Sequence, residues 1–248
     1  MKKRTFGQKP WRRTLAILCS ACMITSCLPF ATASAKTVDG LADLSRQTAA
    51  EGAVLLKNED QTLPVKPYET VSVFGRIQIN YFKSGTGSGG KLNVDHVTNI
   101  LDGFRKNPKI HVNEDLAKVY EDWVAENPPV GIGDWTEPWS QAEMPVTEEL
   151  VADAASKSDK AIIVLGRTAG ESKDASNTEG SFLLTDDERD MIQKVTNQFD
   201  HVAVLLNVGN IIDMSWVEEY GVESVMYVWH GGMEGGKAVA DVVRGDVP

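Results

Sequence analysis

The sequence predicts an α/β fold with a mostly parallel sheet and helices on both of its faces. Apolar runs of strand length, the clearest at 161–165 and 202–206, alternate with amphipathic stretches of helical period. These runs are apolar at every position, which is typical of parallel strands that are buried on both faces. Hydrophobic residues make up 42% and charged residues 24% of the 248-residue chain, so general disorder is excluded.

Each predicted element depends on a local pattern. The helix at 94–106 carries apolar residues at positions 97, 100, 101 and 104, which lie on one helical face. Residues 185–188 read Thr-Asp-Asp-Glu, a capping-box pattern that begins a helix. The predicted strands are 71–74, 109–112, 161–165, 202–206 and 224–229, and the predicted helices are 94–106, 114–125, 147–157, 185–199, 213–220 and 234–244.

The first 35 residues have the pattern of a secretory signal peptide. A basic region ends at Arg13, an apolar stretch follows at 15–30, and Ala33-Ser34-Ala35 forms an A-x-A cleavage pattern. The apolar stretch is too short and too interrupted for a transmembrane span of about 20 residues. The four residues ending at Cys27 also resemble a bacterial lipoprotein box. We therefore expect an exported protein, either secreted or periplasmic or anchored at Cys27, with its folded domain at 36–248.

Charge and cysteine content exclude several classes of function. The first 35 residues hold six of the 25 basic residues and none of the 35 acidic ones, so the remaining body has a formal charge of -16. So acidic a body argues against nucleic acid or an anionic membrane as a main partner. All three cysteines lie in the first 35 residues, so we expect no disulfide, thiolate nucleophile or cysteine metal site in the body.

Glycine-rich segments follow four of the predicted strands, at 75–90, 166–174, 207–210 and 230–236. Ligands of open parallel sheets bind at the carboxyl ends of the strands, so this edge is the expected functional edge. Residues 85–90 match G-x-G-x-x-G and precede a predicted helix, which is the pattern of a dinucleotide site. The loop starts well after its strand and the next strand lacks a terminal acidic residue. We therefore predict a tight surface loop and no nucleotide partner.

The loop at 166–184 carries three carboxylates, Glu171, Asp174 and Glu179. They are either solvated loop charges or the source of a general acid. Proton donation to a departing glycosidic oxygen needs a carboxyl group that is mobile and partly desolvated. Glu171 directly follows Gly170 and suits this role best.

Aromatic residues and one histidine near the predicted edge are further candidates. Trp135 and Trp139 lie in the loop at 127–145 and serve either as sugar-stacking platforms or as contacts to another domain. Trp229 ends a predicted buried strand and is interpreted as a core residue. His230 either binds a sugar hydroxyl or caps the loop that follows it. No histidine–carboxylate spacing indicates a metal, and no G-x-S-x-G nucleophile elbow is present.

Three motifs in register resemble glycoside hydrolase family 3. AAEGAVLLKNE at 49–59 is similar to the opening of that family's C-terminal sandwich domain. GRTAGESKD at 166–174 resembles its acid/base loop, and WHGGMEGG at 229–236 resembles its closing motif. The resemblance covers residues 41–248, which is nearly the whole body.

The resemblance implies a retaining exo-glycosidase similar to β-glucosidases, acting on an oligosaccharide or β-glycoside without a cofactor or metal. In the family, a (β/α)8 barrel supplies an aspartate nucleophile and the sandwich supplies the acid/base, which by motif position is Glu171. The implied substrate contacts are Arg167, Asp174, Ser88, Gly89, His230, Trp135 and Trp139.

The sequence departs from the common order of the family, in which the barrel comes first. Here the sandwich follows the signal peptide, and the chain stops at 245–248 in what reads as the start of a loop. We therefore expect a truncated sandwich with its barrel downstream of Pro248. A non-catalytic carbohydrate-binding or accessory domain is the alternative, and the sugar and linkage are left open.

Overall fold

The computed structural model describes residues 38–247, and the predicted signal peptide lies outside these residues. Its strands are β1 (Val54–Asn58), β2 (Thr70–Phe74), β3 (His111–Val112), β4 (Lys160–Arg167), β5 (Val202–Val208) and β6 (Ser224–Tyr227). Its helices are α1 (Leu41–Glu51), α2 (Ile100–Lys106), α3 (Glu114–Glu126), α4 (Glu148–Lys157), α5 (Asp186–Thr196), α6 (Ser215–Glu219) and α7 (Gly235–Arg244). Within the described part of the chain, none of the helices is long and apolar enough to cross a membrane.

The six strands form one sheet in the order β1-β6-β5-β4-β2-β3. β1 runs antiparallel to β6, and the other neighbouring pairs are parallel. The central strands β4 and β5 are buried at every residue, as their uninterrupted apolar runs predict. Alternate residues of β4 belong to two different apolar clusters, with Ile163 in one and Ile162 in the other. The predicted α/β sandwich with a mostly parallel sheet is confirmed.

The predicted capping box is present at the start of α5. Thr185 Oγ1 accepts a hydrogen bond from the Glu188 backbone N–H, and the Glu188 carboxylate accepts one from the Thr185 N–H at 2.8 Å. These contacts satisfy N–H groups that have no partner within the helix. They also fix the end of the long loop that leaves β4.

The predicted helix at 94–106 is wrong in its first turns, because α2 begins at Ile100. Asn99 Oδ1 caps the helix by accepting the Asp102 N–H at 2.7 Å. The Thr98 backbone is instead paired with a distant segment: its N–H donates to Met233 O at 2.8 Å, and its carbonyl accepts the Gly236 N–H. The glycine-rich segment at 85–90 therefore leads into turns and not into a helix.

Two elements, α1 and β1, have no counterpart among the predicted ones. β1 lies at the edge of the sheet, and its residues Val54, Leu55 and Leu56 are all about half exposed. An edge strand without a buried face does not show the two-residue alternation that marks most antiparallel strands. For this reason the sequence pattern does not predict β1.

Candidate active site

The loops after β2 and β4 are joined by direct backbone contact at the carboxyl edge of the sheet. Thr86 and Gly170 form a β-bridge, and the Thr86 N–H donates to Ala169 O at 2.7 Å. A Cβ atom at Gly85 would lie 2.2 Å from Ala169 O, and one at Gly170 would lie 2.4 Å from Thr86 O. Gly170 also has a φ of +145°. Glycine is therefore required at both positions for the two loops to meet.

Glu171 lies at this junction and faces the glycine-rich loop. Its Oε2 accepts a hydrogen bond from Ser88 Oγ at 2.9 Å and a longer one from the Ser88 N–H at 3.4 Å. A Cβ atom at Gly87 would lie 2.8 Å from Glu171 Cβ, so the loop packs against this side chain. Glu171 is exposed, as is Gly89 beside it on the same loop. The arrangement gives a carboxylate that is held on one side and open on the other, as a proton donor to an external ligand requires.

The other two carboxylates of the loop lie in different surroundings. Glu179 forms an ion pair with Arg189 at 2.6 Å, away from the glycine-rich loop. Asp174 is exposed three residues after Glu171. Across residues 38–247, no group of three or more histidine, cysteine or acidic side chains could hold a metal ion. Of the three candidates, only Glu171 is held by the glycine-rich loop in the described structure.

Arg167 is buried, and the expectation that it contacts substrate is wrong. Its side chain is only 2% exposed and forms a bidentate ion pair with Glu188, with both contacts at 2.6 Å. Its other N–H groups donate to the carbonyl oxygens of Gly166, Ser181 and Leu183. All five donors of the guanidinium are therefore occupied within the protein. A buried cation needs a counterion, and this one anchors the far end of the loop that carries Glu171.

His230 contacts the end of β4. Its Nε2 donates to the carbonyl oxygen of Arg167 at 3.0 Å. Burial lowers the pKa of His230, so the imidazole is neutral near pH 7 and its Nδ1 is an acceptor. A Cβ atom at Gly209 would lie 2.4 Å from the His230 ring and 2.9 Å from Ala169 Cβ, so the ring lies beside the loop that carries Glu171. The contact of His230 with Arg167 O joins the segment after β6 to the end of β4 and is not a cap on the loop that follows His230. A sugar contact through Nδ1 stays a prediction.

The tryptophans differ from one another in exposure. Trp135 is 54% exposed at a loop tip. Trp139 is partly buried, with the Lys173 ammonium 5.2 Å from its ring centroid, a cation–π contact. Trp229 is 42% exposed, so its interpretation as a core residue is wrong. β6 ends at Tyr227, and Trp229 has a φ of +51°, a left-handed conformation that is rare outside glycine.

Asn207 is a structural residue of the edge that the sequence analysis did not identify. It is fully buried at the end of β5, where Oδ1 accepts the Phe82 N–H at 2.8 Å. Its Nδ2 donates to Phe82 O at 3.0 Å and to Trp229 O at 2.5 Å. One amide group thus joins the loops that follow β2 and β6. The sequence did contain a signal for this role, since Asn207 is a single amide in an otherwise apolar strand. A buried polar group needs hydrogen-bond partners, so such a residue is expected to join neighbouring segments.

Comparison with known proteins identifies the family. Residues 53–248 match the family described as the Glycosyl hydrolase family 3 C-terminal domain. A beta-glucosidase of Ruminococcus albus is 51% identical over 199 residues, which cover 80% of this chain and 21% of that protein. Beta-glucosidase A of Butyrivibrio fibrisolvens is 32% identical over 240 residues, which cover 87% of this chain and 28% of that protein. The chain therefore spans between a fifth and a third of the length of these relatives.

Solved structures agree with the sequence matches. A beta-glucosidase from Paenibacillus barengoltzii superposes with a TM-score of 0.82 at 58% identity, over 85% of this chain and 23% of that one. Beta-glucosidase 3B from Thermotoga neapolitana, solved with alpha-D-glucose, superposes with a TM-score of 0.74 at 33% identity, over 83% of this chain and 29% of that one. The predicted fold is that of these proteins, and the chain belongs to glycoside hydrolase family 3, in which it matches the C-terminal domain.

Proposed function

We propose that this domain supplies the general acid/base, Glu171, of an exported retaining β-glucosidase. The observation that carries the proposal is the position of Glu171 at the carboxyl edge of the sheet, held by Ser88 and open to solvent. The names of the relatives, which are beta-glucosidases, support the reaction class. The substrate would be a terminal β-linked sugar, and no cofactor takes part.

In the proposed mechanism, Glu171 acts twice. In the first step, its carboxyl group donates a proton to the glycosidic oxygen while the bond to the leaving group breaks. An aspartate of a second, barrel-type domain attacks the anomeric carbon at the same time and forms a glycosyl-enzyme. In the second step, the Glu171 carboxylate removes a proton from water as that water attacks, which regenerates the aspartate with net retention. Retention requires the two carboxyl groups to lie about 5 Å apart.

The neighbouring residues have supporting roles in this proposal. The Ser88 hydroxyl donates to the Glu171 carboxylate and holds it in position for both steps. The exposed residues Trp135, Gly89 and Asp174 would meet the sugar, Trp135 by stacking and the other two by hydrogen bonds. The partly buried His230 would accept a hydrogen bond from the sugar through Nδ1. Trp139 would support the wall of the site through its contact with Lys173.

The test is Glu171→Gln in the longer protein that contains the nucleophile. General acid/base assistance is worth about 10² to 10⁴-fold, so turnover of cellobiose-like substrates should fall by that factor. The first step on dinitrophenyl glycosides should be nearly unaffected, because that leaving group departs without a proton. Azide needs no deprotonation and should restore turnover, yielding a β-glycosyl azide.

Two variants of the same loop are the controls. Glu179→Gln should keep activity, because Glu179 is paired with Arg189. Asp174→Asn should reduce activity because it weakens a proposed sugar contact. Azide should not restore this activity, because Asp174 transfers no proton in the proposed mechanism. Azide rescue of Glu179→Gln and not of Glu171→Gln would transfer the acid/base role to Glu179.

A further inference from the structure

Three chain segments meet around the Glu171 site, and each contacts the other two. The glycine-rich loop pairs with the acid/base loop through Thr86 and Gly170. The segment at 131–139 forms the third side. A Cβ atom at Gly90 would lie 2.1 Å from Gly133 O, and Lys91 forms an ion pair with Asp134 at 3.0 Å, so this segment contacts the glycine-rich loop.

The segment at 131–139 is also fastened to the acid/base loop at Thr168. The Thr168 N–H donates to Trp139 O at 2.8 Å. The Thr168 hydroxyl donates to the Glu137 carboxylate at 3.0 Å, and the same Oε2 atom accepts the Gly133 N–H at 3.1 Å. Glu137 is 1% exposed, so both bonds are shielded from water.

A buried carboxylate at this point calls for an explanation. Among residues 38–247, Glu137 Oε1 has no hydrogen-bond partner, and burial raises the pKa of Glu137 in spite of the bonds from Gly133 and Thr168. A buried charge with one unpaired oxygen is unfavourable for folding stability. The compensating gain is that one oxygen joins two segments that are far apart in sequence.

We propose that Glu137 is a positioning residue, whose buried carboxylate ties the segment at 131–139 to Thr168 and thereby fixes the loop that carries Glu171. The role in catalysis rests on the proposed function of Glu171. Thr168 lies three residues before Glu171, and the segment between them makes the backbone contacts to the glycine-rich loop. Loss of the Glu137 contact would therefore loosen Glu171 and the loop that bears Ser88 together.

The test is hydrogen–deuterium exchange on the chain with Thr168→Val and Thr168→Ser. Valine has the shape of threonine but cannot donate to Glu137, whereas serine can. Thr168→Val is the primary variant because Glu137→Ala also removes buried volume and risks unfolding. A hydrogen bond to a charged group is strong enough that its loss should raise exchange at 85–90 and 169–174 about tenfold. Exchange in Thr168→Ser and in the central strands β4 and β5 should match the wild type.

Two exchange results would overturn the proposal. One is equal exchange in Thr168→Val and the wild type at both loops. The other is an equal rise in β5, which would mean a general loss of stability and not positioning.

A kinetic measurement separates this proposal from the function of Glu171. In the longer enzyme, Thr168→Val should lower kcat/KM, which reports the first step, on alkyl glucosides more than on dinitrophenyl glucosides, and Thr168→Ser should restore it. Equal losses on both substrates would refute positioning of the acid/base. If Glu171→Gln has no leaving-group dependence, the proposed function fails, while the exchange result still decides whether Glu137 holds the loops.

Discussion

The buried ion pair between Arg167 and Glu188 should be a main determinant of the stability of the domain. Both side chains are at most 5% exposed, and the two contacts are 2.6 Å long. Glu188→Gln keeps the shape of the side chain and an acceptor for the capping box. It leaves the Arg167 guanidinium buried without a counterion.

The size of the loss follows from this burial. Breaking a buried pair by removing one partner costs about 3–5 kcal/mol. For a domain of this size, 1 kcal/mol corresponds to about 2–4 °C in Tm, so Tm should fall by roughly 6–20 °C. Urea unfolding followed by circular dichroism gives the free energy of unfolding, and calorimetry gives Tm.

The matched control is the exposed pair between Arg189 and Glu179, which lies near the same loop. Exposed pairs contribute about 0–1 kcal/mol, so Glu179→Gln should shift Tm very little. If Glu188→Gln loses less than 1 kcal/mol, then Arg167 is solvated or paired elsewhere in solution. The account of this ion pair as the anchor of the loop would then be refuted.

Three further predictions concern activity, pH and processing. The chain at 36–248 by itself should not turn over aryl β-glucosides, because retention needs two carboxyl groups about 5 Å apart and the proposed nucleophile belongs to a second domain. Turnover that a single Asp→Asn change within this chain abolishes would contradict the prediction. Burial raises the pKa of Glu143 from 4.5 to about 8, so the wild type should lose stability as pH rises through that range. Glu143→Gln should lack this loss, which urea unfolding of both proteins at pH 5 and pH 8 would measure. If the free energy of unfolding changed equally in the two proteins between pH 5 and pH 8, the prediction would be contradicted. Intact-mass measurement of exported protein should give a chain that starts at Lys36, whereas a lipidated start at Cys27 would establish the lipoprotein alternative.

The interior of the fold was readable from sequence because its signals are local. The runs at 161–165 and 202–206 are apolar at every position, which is the pattern typical of a strand buried on both faces. The capping box at 185–188 depends on residues three positions apart. The edge strand β1 could not be predicted because it has no buried face. The delayed start of α2 could not be predicted because it depends on a contact between distant segments, the pairing of Thr98 with Met233.

In the candidate site, too, some features depend on local sequence and others on contacts between distant residues. Glycines at the strand ends indicated the candidate functional edge, and Gly170-Glu171 indicated the candidate acid/base. Arg167 and Glu171 are both polar residues of one loop region, yet one is buried and the other open. Arg167 is held by Glu188, 21 positions away, whereas Glu171 is held by Ser88, 83 positions away. Sequence by itself determined which segments are candidates for the chemistry, because a glycine after an apolar strand is a pattern of neighbouring residues. Only the tertiary structure decided which charges are neutralised internally and which are open to solvent, because those pairings join residues that are far apart in the sequence.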